Sequence, residues 1–188
     1  MAELIGAIVA LQVQRTGLIT NNHYDPKPIL TVDELAIAAN GVLGASDGGW
    51  VVDVHSAAHP NGTGRRPLSI GFTSHYDHMR ERFGELALGA AGENIIVDSD
   101  RMFTEPDLAG GLTVRGADHS DVKLAAPKVA RPCRPFSNFL IGRSDDSEET
   151  NEARKFLDAG VRGYICGIRH VDGYVRIRVG DEVWLDSE

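Results

Sequence analysis

Apolar and polar residues along this chain alternate over short runs more often than they recur at helical spacing. Ile5 to Gln14 is apolar and β-branched, and Arg15-Thr16-Gly17 punctuates its end, which predicts a first strand. Trp50 to Val54, Leu68 to Phe72, Ile95 to Val97, Leu112 to Val114, Val122 to Val129, Gly163 to Arg169 and Tyr174 to Arg178 read the same way. Val175, Ile177 and Val179 alternate with Arg176 and Arg178, the period of a half-buried strand with solvated arginines. Helical pattern is sparser. Ser74 caps a predicted helix from Tyr76 to Phe83 that Gly84 closes, and the acidic run Ser144 to Glu152 opens a second that ends near Ala159 and Gly160. Thr31 and Glu34 have capping-box spacing ahead of Leu35 to Ala39, a stretch that fits either a helix or a short strand.

Eight or so strands, two or three helices and no regular strand–helix alternation argue against a doubly wound parallel sheet. They favour a mainly β protein, a mostly antiparallel barrel with a few inserted helices. At 188 residues the chain suffices for one domain, residues 1–188, with its own core. A formal net charge of −8 argues against nucleic-acid and anionic-membrane partners, which require a basic field. No apolar run approaches the roughly 20 residues of a membrane span. Met1 to Val13 carries Glu3 and lacks a basic leader, so it reads as a strand and not as a signal peptide. Two cysteines make no disulfide framework, which points to a reducing, cytoplasmic setting.

Candidate chemistry centres on Arg131-Pro132-Cys133-Arg134-Pro135. Prolines that lack an N–H predict an ordered loop leaving a strand. A thiol beside two guanidiniums favours the thiolate, the form that attacks electrophiles and binds soft metals; a buried structural thiol is the plain alternative. Cys166, within Tyr164-Ile165-Cys166-Gly167-Ile168, reads as a core strand residue. His55 closes a strand, where it can reach a barrel mouth to bind or protonate a substrate, or serve as a turn histidine. His59 follows in a Pro-bearing loop with no third ligand in view, so no zinc site is read here. His75 and His78 share a predicted helix face and read as a solvated pair.

Several short motifs occur in one order along nearly the whole chain. They are Gly41-Val42-Leu43-Gly44, Asp53-Val54-His55, Gly89-Ala90-Ala91-Gly92-Glu93-Asn94-Ile95, Asp107-Leu108 with Gly111, Arg131-Pro132-Cys133, Arg162-Gly163, and Val179-Gly180-Asp181-Glu182-Val183. In this the chain resembles the MOSC domain, the family named for the C-terminal domain of molybdenum cofactor sulfurases. It resembles a stand-alone member, without a fused ferredoxin or pyridoxal-phosphate domain. The resemblance implies a MOSC-type β-barrel and makes Cys133 the functional cysteine. That residue is a molybdenum ligand in members that reduce N-hydroxylated compounds, and a proposed persulfide carrier in others.

The expected site follows from that. Cys133 and His55 are the candidate catalytic residues, with Cys133 as metal ligand to a molybdenum-pterin cofactor (molybdopterin). The cofactor's phosphate needs cations or N–H donors, for which Arg65, Arg66, Arg115, Arg131, Arg134, Arg162 and the helix start at Ser74 are candidates. Glu93 and Asn94 either bond the pterin or hold loops closed. The leading expectation is an oxidoreductase acting on a small-molecule substrate, supplied with electrons by separate proteins, since no iron–sulfur cysteine cluster or dinucleotide fingerprint is present. A sulfur carrier loaded by a cysteine desulfurase, and a binding module for an anionic or pterin ligand, are the alternatives.

Overall fold

A computed structural model describes residues 2–116, 121–169 and 171–187, the side chain of Ala126 aside. Fourteen strands and three α-helices are seen among them. The strands are β1 (Glu3–Gln14), β2 (Ile19–Thr20), β3 (His23–Tyr24), β4 (Ile29–Val32), β5 (Glu34–Ala38), β6 (Gly41–Ser46) and β7 (Gly49–Val52). They continue as β8 (Leu68–Phe72), β9 (Ile95–Asp98), β10 (Leu112–Arg115), β11 (Asp121–Val129), β12 (Tyr164–Ile168), β13 (Val175–Arg178) and β14 (Glu182–Leu185). The helices are α1 (Thr73–Phe83), α2 (Arg134–Leu140) and α3 (Glu148–Leu157).

The main sheet runs β14-β10-β11-β12-β8-β9-β1-β4, and β14 also pairs with β1, so seven strands close into a ring. Every neighbour in it is antiparallel except β8 and β9. This bears out the mainly β expectation, with a few inserted helices. A second sheet, β13-β5-β6-β7, packs against β1 and β4, and β2-β3 is a two-stranded ribbon. No helix is long and apolar enough to cross a membrane.

β1 shows how the pattern produces the ring. It serves β14, β9 and β4 in turn, with register shifts at Leu4/Gly6 and at Ile8/Ala10. Such bulges bend a strand and increase its twist, which lets one strand reach three partners. Along its second half Leu11 and Val13 face one way into the core, while Gln12 and Gln14 face the other way and are buried as well. The two faces therefore meet two separate cores. Inside the ring pack Ile8, Leu11, Val13, Leu35, Ile70, Phe72, Leu112 and Tyr164. Outside it, Leu18, Tyr24, Tyr76, Met79, Ile96, Phe136 and Leu157 bind the helices to the sheet. Each large side chain so buried contributes about 2 kcal/mol of transfer free energy.

Of the two readings open for the stretch after Thr31, the strand holds: residues 34–38 form β5, and Leu35 and Ile37 pack into the core. Several other local expectations are corrected. Helix α1 begins at Thr73 after Phe72, with no side-chain cap, so Ser74 lies inside its first turn. The Arg131–Pro135 segment is only partly loop: Cys133 is the N-cap of α2, and Pro135 occupies the first turn, where no N–H is needed. Helix α3 starts at Glu148 after Ser147, whose hydroxyl accepts from the Thr150 N–H in a capping box. Arg176 and Arg178 are not merely solvated; both pair with Glu34.

Candidate functional site

Cys133 is placed by three connections. β11 delivers the chain to Ala130, whose N–H donates to the Gly163 carbonyl at 3.0 Å. The Arg162 guanidinium donates to the Arg131 carbonyl at 3.0 Å and lies over the Phe136 ring at 5.2 Å. The Cys133 carbonyl then accepts from the Ser137 N–H at 3.1 Å as α2 begins. The thiol is left half-buried and free, at the edge of the outer core. Cys166 is also free but sealed in β12, and burial pushes its thiol up to about 12. Cys133 is thus the accessible thiol of the two.

Cys133 opens onto a cavity of about 410 Å³. Its walls carry Tyr24, His55, Glu93 and the three arginines Arg66, Arg131 and Arg162. Two of these groups have strongly determined surroundings. His55 Nδ1 lies 3.0 Å from Asp53 Oδ1. Glu93 is buried and accepts from the Tyr76 hydroxyl at 2.7 Å. Burial raises its carboxyl above the usual range, against the lowering pull of that hydroxyl and of the Arg162 charge. Tyr24 donates to the Ala90 carbonyl at 2.7 Å and packs against Phe136 with ring centroids 4.9 Å apart. Burial raises its phenol as well, so it is a neutral wall of the cavity.

The structure brings together six of the residues expected at the site: Cys133, His55, Arg66, Glu93, Arg131 and Arg162. The others sit elsewhere. Asn94 is buried behind the cavity and saturated: its amide donates to Gln12 O and Asp53 Oδ2, and its oxygen accepts from Ser69. It ties β1 and β8 to the Asp53 loop and does not line the cavity. Ser74 donates to the Arg101 carbonyl, and the neighbouring Thr73 hydroxyl bonds the Asp98 carboxylate, which disfavours an anion at that helix start. Arg115 stacks on Trp184 at 4.2 Å, Arg134 pairs with Asp146, and Arg65 is exposed in its loop; none lines the cavity. His75 and His78 are not a solvated pair. His75 is buried, and His78 stacks on Phe156 at 4.7 Å.

Tyr24 was missed by sequence reasoning, and Asp53 entered it only as the first residue of the Asp53-Val54-His55 motif, with no role of its own. No sequence signal marks Tyr24, because a short β-ribbon brings it over Phe136.

The arrangement suits a soft-metal cofactor with an anionic portion. One thiol is free to ligate, three cations line the same wall, and the Arg162 Nε is buried with no protein partner. Among the described residues no cluster of three or more His, Cys, Asp or Glu side chains can hold a metal unaided, so a metal here would need most of its ligands from elsewhere.

Comparison with known proteins shows the family and the fold. The family profile described as the MOSC domain matches residues 49–184. The crystal structure of the YuaD protein from Bacillus subtilis superposes with a TM-score of 0.60 at 18% identity, covering 100% of both chains. YiiM from Geobacillus stearothermophilus gives 0.48 at 16% identity, covering 100% of this chain and 76% of that one. No curated protein matches the sequence.

Proposed function

The chain belongs to the MOSC domain family, and on that premise we propose that it is a molybdenum-pterin oxidoreductase that reduces N-hydroxylated substrates, with Cys133 as the metal ligand. The observation that carries this is the free, half-buried Cys133 thiol on the wall of a cavity also lined by Arg66, Arg131 and Arg162. A bound molybdenum-pterin group would supply the two-electron chemistry that removes an oxygen atom from the substrate.

The chain's own residues do the rest. Cys133 gives one protein bond that fixes the group's orientation. The three arginines neutralise its phosphate; Arg162 is held ready by Phe136 and the Arg131 carbonyl, so little side-chain entropy is lost on binding. Glu93 and Tyr76 close the floor beneath. His55 is the cavity-facing group able to move a proton to a departing oxygen.

Elemental analysis tests this on protein made in a host that synthesises the cofactor. Near-stoichiometric molybdenum that is lost in Cys133→Ser, with the fold intact by circular dichroism, is the expected result. Absence of molybdenum, with a reductant-labile gain of one sulfur in intact mass, would replace it with the persulfide-carrier reading.

A further inference from the structure

Asp53 is 1% exposed, and three N–H donors of fixed direction reach its carboxylate. Oδ2 accepts from the Gln14 N–H at 2.8 Å and from Asn94 Nδ2 at 3.1 Å. Oδ1 accepts from the His55 N–H at 2.9 Å and faces His55 Nδ1 at 3.0 Å. Asn94 is itself oriented by Ser69, so its amide can present only N–H to Asp53. Burial alone would favour the protonated acid, but the bonds from the His55 ring and from the Gln14 and His55 backbones outweigh it and hold the carboxyl below its usual range. Asp53 is therefore ionised and only accepts.

A carboxylate that only accepts demands a hydrogen on the nitrogen facing it. With Nδ1 so committed, the other nitrogen of the neutral ring is a bare lone pair, and that ring lines the cavity that holds Cys133. We propose that Asp53 is a positioning residue: it fixes His55 in the Nδ1–H tautomer, so that Nε2 takes and gives protons at the thiol-lined cavity. As imidazolium, His55 passes its Nε2 proton to a basic oxygen or nitrogen of the bound ligand and is left as the neutral Nδ1–H ring. Solvent returns the proton, because the side chain is 40% exposed. The charged groups that share the cavity with the ring are Arg66, Arg131, Arg162 and Glu93, with Asp53 behind it. The tautomer is a property of the protein alone, and only its use in turnover rests on the molybdenum reading above.

Imidazole ¹⁵N–¹H correlation spectra of the metal-free, full-length protein test it, with His55→Gln to assign the ring. Above its titration the wild-type ring is expected to be protonated at Nδ1. In Asp53→Ala, which removes the acceptor, the majority form is expected to move to Nε2–H, the usual tautomer of an unconstrained ring. A wild-type ring protonated at Nε2, or a folded Asp53→Ala with unchanged tautomer, overturns the proposal. If Asp53→Ala fails to fold, the wild-type spectrum decides alone. In molybdenum-loaded protein, Asp53→Ala is expected to lower kcat tenfold or more with metal content unchanged; an unchanged kcat overturns the catalytic part. A protein that takes up no molybdenum yet shows the Nδ1–H ring upholds the tautomer and refutes only the cofactor reading.

Discussion

A neutral imidazole sealed between aromatic rings makes this fold sensitive to acid. His75 is 1% exposed, lies 5.2 Å from Phe72 and 6.1 Å from Tyr164 by ring centroid, and accepts from the Phe103 N–H at Nε2. Burial brings it down to about 4 from a usual 6.5. The unfolded chain then takes up a proton at a pH where the folded one does not. Its contribution to stability is fully present above 6.5 and is lost as the pH falls toward 4. By pH 4.5 the loss is about 2–3 kcal/mol. Urea unfolding of wild type and His75→Gln at pH 7 and 4.5 checks this: the wild type should lose that much more than the variant between the two conditions. The comparison within pairs matters because Glu93, raised in the fold, acts with the opposite sign over part of the range, while Asp53 acts only below about 3.8.

At the scale of elements, the reactive thiol depends on a helix pair. Cys133 caps α2, and α2 is held to α3 by the buried bond from Thr150 Oγ1 to Asn138 Oδ1 at 2.6 Å. Thr150 also completes the capping box with Ser147. Thr150→Ala therefore removes a cap partner and strands a buried amide oxygen, and should cost about 1–3 kcal/mol in urea unfolding. It should also speed alkylation of Cys133 by iodoacetamide, read by intact mass, as α2 frays from its neighbour. These helices show where the sequence was readable and where it was not. Strands such as β13 were legible because Ile177 and its arginine neighbours alternate with the pleat. Helix α2 was not, because the prolines that argue for a loop are also compatible with a helix's first turn. The site divides in the same way. Cys133, His55 and the flanking Arg131 announced themselves through local composition and the motif order. Asp53 lies two residues from His55, but the bonds from Gln14 and Asn94 that fix its carboxylate come from 39 and 41 residues away, and no local pattern encodes those. Ser74 and Arg115 had suitable chemistry but do not line the cavity: Ser74, in α1, is bonded to the Arg101 carbonyl, and Arg115, at the end of β10, stacks on Trp184.

For the molecule as a whole, closure of the ring rests on a narrow joint in β1. At Gly6 the pairing with β14 bulges, one residue before Ala7 faces both β14 and β9; its φ is +152, and a Cβ there would lie 1.9 Å from the Asp98 carbonyl oxygen. Backbone cannot yield that distance cheaply. Gly6→Ala should destabilise the protein by about 2–4 kcal/mol, measured as a lowered urea midpoint. It should also deprotect amides of both β14 and β9 in hydrogen exchange, because Gly6 pairs with Val183 of β14 while its missing Cβ makes room for Asp98 of β9. The same closure has a consequence for biosynthesis. Ala7 pairs with Glu182, so β1 leaves the ribosome with an open edge and waits for a partner encoded far downstream. At translation rates of roughly 5–20 residues per second that wait is on the order of ten to thirty seconds. Through it an apolar strand is bare to other nascent chains, so yield in a cell should depend on how well chaperones cover the first strand until the last arrives.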